Sequence, residues 1–350
     1  MARGDITLSE INSQPQLWAT ALDIFGQQAH QVRQFWQQGQ YQQVLFTGCG
    51  STFYLGVIGA NMLQAATGVP ARANSASELM LFPNVNVSLR PKTLLICVSR
   101  SGTTRETVEA ARLFKAQGSG QVLVITCQSD SPLAQQADFL LAIDAAQERS
   151  RVQTRSFSSM TVVVTALAAL LGGNDWGALR GLSPALERLM TASAPLVQQL
   201  GNDARINQFA FLGSGAQYGL AVEAMLKMTE MSRIFSVAYH ILEFLHGPRY
   251  AADASTLVVG LVGDTAYDEE IKALKPLAQR RARVLALAEK DRGGLADFDY
   301  SLQLASGVPE WGRTILYLPP LQLIGFHQAI MRGFDPDNLP FDPRDEAAKP

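Results

Sequence analysis

Four hydroxyl side chains fall within six residues in the first third of this 350-residue sequence. They follow an apolar run, Thr93–Ile96, that predicts a buried strand, and they precede Val108–Phe114, a good helix former. A strand-to-helix turn leaves backbone N–H groups free at the positive end of the helix dipole, which suits an anion. An ordinary N-cap needs one hydroxyl, so the pattern favours a phosphate site over a simple cap. The residues concerned are Ser99, Ser101, Thr103 and Thr104, with Arg100 and Gly102 between them.

A second turn carries residues of the same kind. The strand predicted over Val44–Thr47 ends in a short stretch of glycines and hydroxyls that leads into a helix. The glycine fingerprint of a dinucleotide site is only partly present, and no acidic residue is well placed about twenty residues further on, so a nicotinamide cofactor fits poorly. Two Ser/Thr-rich turns at strand ends fit one phosphate better. The candidate residues on this turn are Gly50, Ser51 and Thr52.

Groups suited to acid–base work lie in the second half. The sequence predicts a helix over Ala221–Met231, in which Glu223, Lys227 and Glu230 follow one another at one-turn spacing. One alternative is a solvated, salt-bridged helix face. Methionine and leucine fill several of the other positions and leave little polar surface, which argues against that alternative.

Two of the four histidines stand close together further along the chain. His240 and His246 flank Glu243, and Gly247 and Pro248 enforce a turn directly after His246. Imidazole changes its charge near neutral pH, so this group is suggestive of acid–base catalysis. A histidine that simply caps a helix remains the alternative.

Composition bounds the class of protein. With 47% hydrophobic and 17% charged residues, 350 residues can build two ordinary domains around a sizeable core. The formal net charge of -2 gives no reason to expect nucleic acid. The cysteines have no metal-binding spacing and predict free thiols in a reducing compartment. The start lacks an apolar signal core, and the longest apolar run, Met160–Leu171, is too short to span a bilayer. We therefore expect a cytoplasmic protein with no membrane partner, metal or cofactor.

The remaining pattern predicts a parallel α/β architecture. Residues 1–13 are expected to form a loose arm, and Gln16–Gln38 a helix with apolar side chains on one face. Strands and helices then alternate with short connections, which indicates a parallel sheet covered on both faces. A polar connector, Glu148–Ser156, leads into a helix over 157–171. Predicted strands lie near 43–47, 70–73, 93–98, 121–126 and 139–143, and predicted helices near 52–66, 77–82, 104–117 and 131–136.

The pattern restarts after a boundary at Gly172–Asp175 and a helix near 178–201. Three segments of the second half resemble segments 165 positions earlier, which argues for internal duplication. The matched pairs are Gly48–Gly50 with Gly213–Gly215, Ser77–Leu79 with Leu242–Phe244, and Leu94–Ile96 with Val259–Leu261.

The two copies differ at the anion site. This alignment puts Gly263–Thr265 where the first half has Val98–Arg100, and the carboxylate of Asp264 would repel a phosphate. We therefore expect only the first half to hold the anion. The predicted units are an N-terminal arm and helix (1–34), a phosphate-binding domain (35–172), a catalytic domain (173–332) and a C-terminal tail (333–350).

Together these residues resemble the sugar isomerase (SIS) family in its tandem-domain form, over roughly residues 10–340. That form includes the isomerase half of glucosamine-6-phosphate synthase, the galactosamine-6-phosphate deaminase/isomerases and the fructosamine-6-phosphate deglycases. The resemblance implies two three-layer α/β/α (flavodoxin-like) domains with parallel sheets, related by internal duplication. The matching segments are Gly48–Thr52, Ser99–Thr104, Gln153–Phe157, Glu223–Glu230, Glu243–Pro248, Pro319–Gln322 and Gly333–Asp337.

The resemblance also implies roles for individual residues. Glu230 would move a proton between C1 and C2 of an open-chain sugar phosphate without a metal. His246, from the neighbouring subunit of a homodimer or a dimer of dimers, would assist ring opening or protonate the leaving group. The substrate and its phosphate would be held by Gly50, Ser51, Thr52, Ser99, Arg100, Ser101, Thr104, Gln153, Lys227 and Arg344.

The sequence departs from the synthases of this family at functional positions. Arg344 stands where the synthases carry a Schiff-base lysine, and Lys349 lies five residues beyond it. Arg155 replaces the usual lysine of the connector. Neither a glutaminase half nor an N-terminal cysteine nucleophile is present, so we do not expect a glutamine-dependent synthase. Arginine does not readily form an imine, because it stays protonated.

Three functions remain open at this point. A ketosamine 6-phosphate deglycase is preferred, since its substrate already carries nitrogen at C1. A phosphosugar isomerase or an amino-sugar-phosphate deaminase/isomerase is the nearest alternative. A non-catalytic sugar-phosphate sensor is disfavoured, because Glu230 and His246 are both present and no DNA-binding segment is attached.

Overall fold

Two five-stranded sheets organise the chain in the computed structural model, which describes residues 2–86, 92–118, 120–279 and 282–339. Every neighbouring pair of strands in these sheets runs parallel. Parallel strands need crossover connections, and here helices supply them and cover the sheet faces. The predicted pair of three-layer α/β/α domains is therefore confirmed.

The first half builds one sheet and most of the helices that surround it. Its strands are β1 (Gln43–Gly48), β2 (Ala71–Ser75), β3 (Thr93–Ser99), β4 (Gly120–Thr126) and β5 (Phe139–Ala142), in the spatial order β2-β1-β3-β4-β5. Its helices are α1 (Asp5–Asn12), α2 (Gln14–Gly39), α3 (Ser51–Thr67), α4 (Ala76–Leu81), α5 (Pro83–Asn86), α6 (Arg105–Ala116) and α7 (Arg155–Gly172). The central strand β3 is buried along its whole length, as an apolar run enclosed by helices on both faces should be.

The second half repeats the arrangement. Its strands are β6 (Gln208–Gly213), β7 (Ser236–His240), β8 (Thr256–Leu261), β9 (Arg283–Ala288) and β10 (Tyr300–Gln303), in the spatial order β7-β6-β8-β9-β10. Its helices are α8 (Leu182–Gly201), α9 (Ala216–Ser232), α10 (Ile241–Phe244), α11 (Tyr267–Gln279), α12 (Glu310–Arg313) and α13 (Leu318–Met331). Strand order and crossovers match those of the first sheet, which confirms the predicted duplication.

The register of the strands corrects one part of the duplication argument. The offset of 165 residues holds for the starts of β1 and β6, α3 and α9, and β2 and β7. In the first sheet Val44 pairs with Leu94, whereas the equivalent Phe209 of the second sheet pairs with Leu257. The offset at this third strand is therefore 163 (257 minus 94), and the predicted alignment there is wrong by two residues. The cause is a connection before β8 that is two residues shorter than the one before β3.

The N-terminal segment is not the loose arm predicted for residues 1–13. Most of it forms α1, and Ile11 is fully buried. Free N–H groups at the start of α1 are capped from the far end of the chain, since Asp337 accepts hydrogen bonds from Ile6 N (2.9 Å) and Thr7 N (2.8 Å). These partners are 331 and 330 positions apart, so no local pattern could reveal the cap.

Two predicted helices also differ in extent. The helix predicted near 131–136 is reduced to a 3₁₀ turn, Ala134–Gln136, because Leu133 N donates instead to the carbonyl of Gly102 at 3.0 Å. The helix predicted near 178–201 begins as α8 at residue 182, after a separate 3₁₀ turn. Both differences lie in the connections and leave the order of elements as predicted.

One apolar cluster extends across both halves. It includes Phe46 on β1, Ile58 on α3, Val163 on α7, Met228 on α9 and Ile324 on α13. Helix α3 packs against both α7 and α9, and α9 packs against α13. This shared core holds the second half of α9 against the first domain, beside the start of α3.

Helix α7 forms the middle of that core. It extends slightly beyond the predicted range 157–171 at both ends, and 83% of its length is buried inside the fold. Within the described ranges it is the one helix long and apolar enough to cross a membrane. Its burial between other helices is that of a core helix.

Candidate functional site

The turn from β3 into α6 holds the hydroxyl-rich stretch. Ser99 Oγ accepts a hydrogen bond from Gly102 N at 3.1 Å and lies 3.5 Å from Thr104 Oγ1. Ser101 Oγ accepts from the N–H (3.3 Å) and the hydroxyl (2.9 Å) of Thr103. Thr104 occupies the N-cap position of α6, yet its side chain caps no backbone N–H. The hydroxyls therefore form two hydrogen-bonded groups beside the free N–H groups of the helix, and helix capping does not account for them.

The turn from β1 into α3 supplies further donors. Gly50 has φ 55° and ψ −126°, a backbone conformation that favours glycine. Thr52 Oγ1 accepts from Cys49 N (3.0 Å) and donates to Cys49 O (2.9 Å), so this hydroxyl stabilises the turn from within. Ser51 is buried at the first position of α3, and its Oγ accepts a hydrogen bond from Lys227 Nζ at 3.1 Å.

Lys227 is the centre of a charged cluster that joins the two domains. Its side chain is 1% exposed, and its ammonium lies 3.4 Å from Glu223 and 2.5 Å from Glu230. The three residues share one face of α9 because they are spaced by three and four positions. Glu223 is fully buried, whereas 32% of the Glu230 side chain is exposed. The alternative of a solvated helix face is therefore wrong, and Glu230 is the member of the cluster that a ligand could reach.

Burial sets the protonation of this cluster. It raises the pKa of Glu223 to about 8, an effect that the nearby Glu230 carboxylate adds to and the Lys227 ammonium opposes. Burial disfavours the charge on Lys227 too, but the carboxylates of Glu223 and Glu230 outweigh it and raise the pKa of Lys227. Burial thus favours the protonated form of Glu223, whereas the neighbouring carboxylates favour the charged form of Lys227.

Glu148, in the polar connector before α7, has a fully buried carboxylate. It accepts hydrogen bonds from Thr154 N (2.6 Å) and Arg155 N (2.7 Å), which fixes the connector against the start of α7. Its carboxylate also lies 3.6 Å from Arg100 Nη1 and helps to raise the pKa of Lys227. The only sequence signal for this role was an acidic residue that opens an otherwise basic and polar connector.

Arg100 and Gln153 have different environments. Arg100 Nη1 donates to the carbonyls of Ser150 (3.0 Å) and Arg151 (3.3 Å), so it ties the hydroxyl-rich turn to the connector. Gln153 Oε1 is buried and has no hydrogen-bond partner within the part of the chain that the structure describes. Gln153 thus retains an acceptor for a ligand, while Arg100 is engaged with protein.

His246 lies apart from the α9 cluster in the single chain. It is exposed in the turn after α10, and its backbone N donates to Glu243 O at 3.0 Å. No hydrogen bond or ion pair joins His246 to Glu230 among the described residues of one protomer. His240 stacks on Tyr218 with ring centroids 3.8 Å apart, and partial burial lowers the pKa of His240. Arg344 and Lys349 lie outside the described residues.

The equivalent turn of the second half carries different side chains. Ala216 takes the place of Ser51. With the corrected offset of 163 residues, Asp264 is equivalent to Ser101 and not to Ser99. Asp264 already forms an ion pair with Arg313 at 2.5 Å. The expectation that a phosphate binds in the first half only stays a prediction, now with Asp264 at a different position.

Comparison with known proteins gives a consistent picture. The SIS domain family profile matches residues 40–171 and 204–332. The glutamine–fructose-6-phosphate aminotransferase (isomerizing) of Pectobacterium atrosepticum is 29% identical over 312 residues, which cover 85% of this chain and 50% of that protein. The same-named protein of Pseudomonas syringae is 28% identical over 348 residues, covering 94% and 56%. The chain thus spans about half the length of these curated relatives.

Solved structures share the fold along nearly the whole chain. The tagatose-6-phosphate ketose/aldose isomerase of Escherichia coli superposes with a TM-score of 0.87 at 23% identity and covers 97% of each chain. The glucosamine-6-phosphate deaminase of Thermotoga maritima superposes with a TM-score of 0.74 at 26% identity and covers 91% of this chain and 97% of its own.

Proposed function

This chain belongs to the SIS domain family, and we propose that it is an enzyme that acts on a sugar phosphate, most specifically a ketosamine 6-phosphate deglycase. The observation that carries the proposal is the buried Lys227 with its two carboxylates beside a hydroxyl-rich turn. Burying the ionisable side chains of Lys227 and Glu223 is costly, so a cluster of this kind at a ligand-binding turn indicates catalysis.

The phosphate would bind between the two strand-to-helix turns of the first domain. Ser99, Ser101 and Thr104 offer hydroxyls, and the N-termini of α3 and α6 offer free N–H groups and positive dipole ends. Gly50 lets the backbone approach the anion closely. The buried acceptor of Gln153 suits a sugar hydroxyl. These contacts would fix C1 and C2 of the sugar relative to α9.

The chemistry needs one base that can take and return a proton. In a ketosamine phosphate, nitrogen is bound to C1 and the carbonyl is at C2. Glu230 would remove a proton from C1 while the C2 oxygen gains one, giving an enaminol. A proton returned to C2 then gives an imine at C1. Water adds to C1 and the amine leaves, so the products are an aldose 6-phosphate and a free amine, with no metal and no redox partner.

Lys227 and Glu223 would position this base. The Lys227 ammonium lies 2.5 Å from Glu230 and holds its carboxylate in one orientation. Its raised pKa keeps it charged, and a charged amine is not a nucleophile for a carbonyl. This supports a substrate that brings its own nitrogen, in agreement with Arg344 at the synthases' lysine position.

A phosphosugar isomerase or an amino-sugar-phosphate deaminase remains the second candidate. The names of similar proteins favour it, since they include a ketose/aldose isomerase and a glucosamine-6-phosphate deaminase. Both reactions use the same proton transfer between C1 and C2. They differ from deglycation only in whether nitrogen is present and where it goes.

A homodimer with shared active sites completes the proposal. His246 is exposed beside the edge strand β7, together with the large apolar side chains of Phe235 (83% exposed) and Leu242 (50% exposed). An exposed apolar edge favours contact with a second copy. His246 would then reach Glu230 of that copy. We further propose a cytoplasmic enzyme without nucleic-acid or membrane partners, which the net charge of -2 supports.

The decisive experiment is a substrate panel. Ketosamine 6-phosphates, amino-sugar 6-phosphates and ketose 6-phosphates are each incubated with the protein, and free amine, ammonia and aldose phosphate are measured. Deglycation releases the amine from the ketosamine alone. Ammonia from an amino sugar would establish the deaminase, and ketose–aldose interconversion without nitrogen would establish the isomerase. Glu230→Gln serves as the inactive control.

Borohydride trapping separates the same alternatives by mechanism. A deglycase forms its imine between substrate carbon and substrate nitrogen, so reduction in the presence of substrate should leave no lysine adduct on the protein. Mass spectrometry of the reduced protein reads this directly. An adduct on Lys227 or Lys349 would overturn the deglycase proposal in favour of a Schiff-base isomerase.

A further inference from the structure

A cavity of about 410 Å³ opens at the carboxyl ends of the second sheet, at the place that the duplication makes equivalent to the first strand-to-helix turn. Gly215, at the turn from β6 into α9, lines it. The backbone of Gly215 (φ 55°, ψ −129°) is nearly the same as that of Gly50 (φ 55°, ψ −126°). The shape of a binding turn is therefore retained in both halves.

The positions that face this cavity correspond to those of the charged cluster. Met62 and Ala65 of α3 line the cavity, and they stand 165 positions before Lys227 and Glu230. Helix α3 thus places Met62 and Ala65 at the turn from β6 into α9, just as α9 places Lys227 and Glu230 at the turn from β1 into α3. Apolar side chains have replaced the ammonium and the base, so the cavity can bind a ligand but has lost that proton-transfer apparatus.

The charged side chains among the described residues that line the cavity are both acidic. Glu270, 3% exposed, accepts a hydrogen bond from Gly263 N at 2.8 Å. If the offset of 163 residues between β3 and β8 is continued into the helices that follow them, Glu270 corresponds to Thr107. Glu310 also lines the cavity, and it accepts from the N–H (3.0 Å) and the hydroxyl (2.7 Å) of Thr265. No lysine, arginine or histidine occurs among the described residues that line the cavity.

Glycine at position 263 keeps the polar end of the cavity open. A methyl group placed on Gly263 would lie 3.2 Å from Glu310 Oε1 and 3.3 Å from Gln217 Nε2, so these two side chains border the space above it. Burial raises the pKa of the Glu270 carboxyl. A cation bound beside it would favour the ionised form, because opposite charges within a few ångströms stabilise each other.

We propose that this cavity is a second ligand site, specific for a small organic ammonium compound with a short aliphatic body. The ammonium group binds between the carboxylates of Glu270 and Glu310. The aliphatic body packs on the apolar wall formed by α3, α7 and α12. The two carboxylates disfavour an anion such as a sugar phosphate, and no cationic side chain among the described lining residues offsets them. The site is independent of the reaction proposed for the first domain.

Hexylammonium is a suitable probe, with hexanoate as the anion of the same length. Isothermal titration calorimetry with the full chain should detect one saturable site for hexylammonium and none for hexanoate. Glu310→Gln keeps the size of the side chain but removes its charge, and should weaken hexylammonium binding about tenfold. Glu269→Gln is the matched control, because Glu269 is exposed on the same helix as Glu270 and does not line the cavity. The Glu269→Gln variant should bind hexylammonium with the affinity of the wild type.

Ala65→Trp tests the location. Ala65 is exposed to solvent at the cavity wall, so a large side chain can enter the cavity without disturbing the core, and hexylammonium binding should be lost. Circular dichroism confirms that each variant is folded. Three results would overturn the proposal. They are equal binding of hexanoate and hexylammonium, an unchanged hexylammonium affinity in both Glu310→Gln and Ala65→Trp, and no saturable hexylammonium binding up to about 50 mM.

Discussion

Replacing Glu223 by glutamine tests most directly whether burial raises the pKa of this side chain in the α9 cluster. Glu223 is fully buried, and its pKa is raised from 4.5 to about 8. Between these values the folded protein keeps a proton that the unfolded chain has released, so the free energy of unfolding falls as pH rises. The slope from this group is about 1.4 kcal/mol per pH unit, or about 3 kcal/mol from pH 5 to pH 7.

Glu223→Gln should remove that loss, because the amide keeps the size of the carboxyl and has no charge to desolvate. At pH 5 the variant and the wild type should be similarly stable. At pH 7.5 the variant should be more stable by about 2–4 kcal/mol. Urea denaturation at several pH values, followed by far-ultraviolet circular dichroism, measures the difference. Glu269→Gln, at an exposed position of α11, should leave the slope unchanged.

The opposite sign would refute this reasoning. If Glu223 is instead the ionised partner of Lys227, 3.4 Å away, its removal breaks a buried ion pair. Loss of one member of such a pair costs about 3–5 kcal/mol. A variant destabilised by that amount at pH 7.5 would mean that Glu223 is charged in the folded protein and that Glu230 shares its counter-ion.

Three further predictions concern activity. Glu230→Gln should lower turnover by about 10²–10⁴-fold in steady-state kinetics, while substrate affinity measured by calorimetry changes little. Equal losses of turnover and of affinity would argue against a role of Glu230 as the base. Changing both Ser101 and Thr104 to alanine should weaken sugar-phosphate binding strongly, whereas Ser214→Ala on the second turn should not. If only Ser214→Ala weakened binding, the phosphate site would lie in the second domain. Mixed dimers of Glu230→Gln and His246→Ala chains should regain activity if each active site is built from both chains. If subunits exchange and activity still does not return, both residues act within one chain.

Sequence patterns were sufficient where the deciding interactions are local. Alternating apolar strands and helices predicted two parallel sheets, because a strand enclosed on both faces must be apolar along its whole length, as β3 is. Spacing by three and four residues placed Glu223, Lys227 and Glu230 on one helix face. The hydroxyls at Ser99 and Ser101 marked a strand-to-helix turn, since such turns leave N–H groups free.

Register and long-range caps could not be read from sequence. The shift of offset from 165 to 163 came from strand pairing, which depends on backbone hydrogen bonds between distant segments. Helix α1 looked like a loose arm because the carboxylate that caps it, Asp337, lies 331 positions from Ile6. Glu148 looked like one more polar residue because its partners Thr154 and Arg155 meet it only when the connector folds back on itself.

Tertiary packing decided which residues meet at the candidate site. Ser51 opens a helix of the first domain and Lys227 lies on a helix of the second, yet they are hydrogen-bonded across 176 positions. The sequence determined that each helix carries its polar group on a defined face, because that depends on spacing within one helix. Which faces meet was determined by the shared apolar core, which packs α3 against α9 and buries Lys227 at their contact.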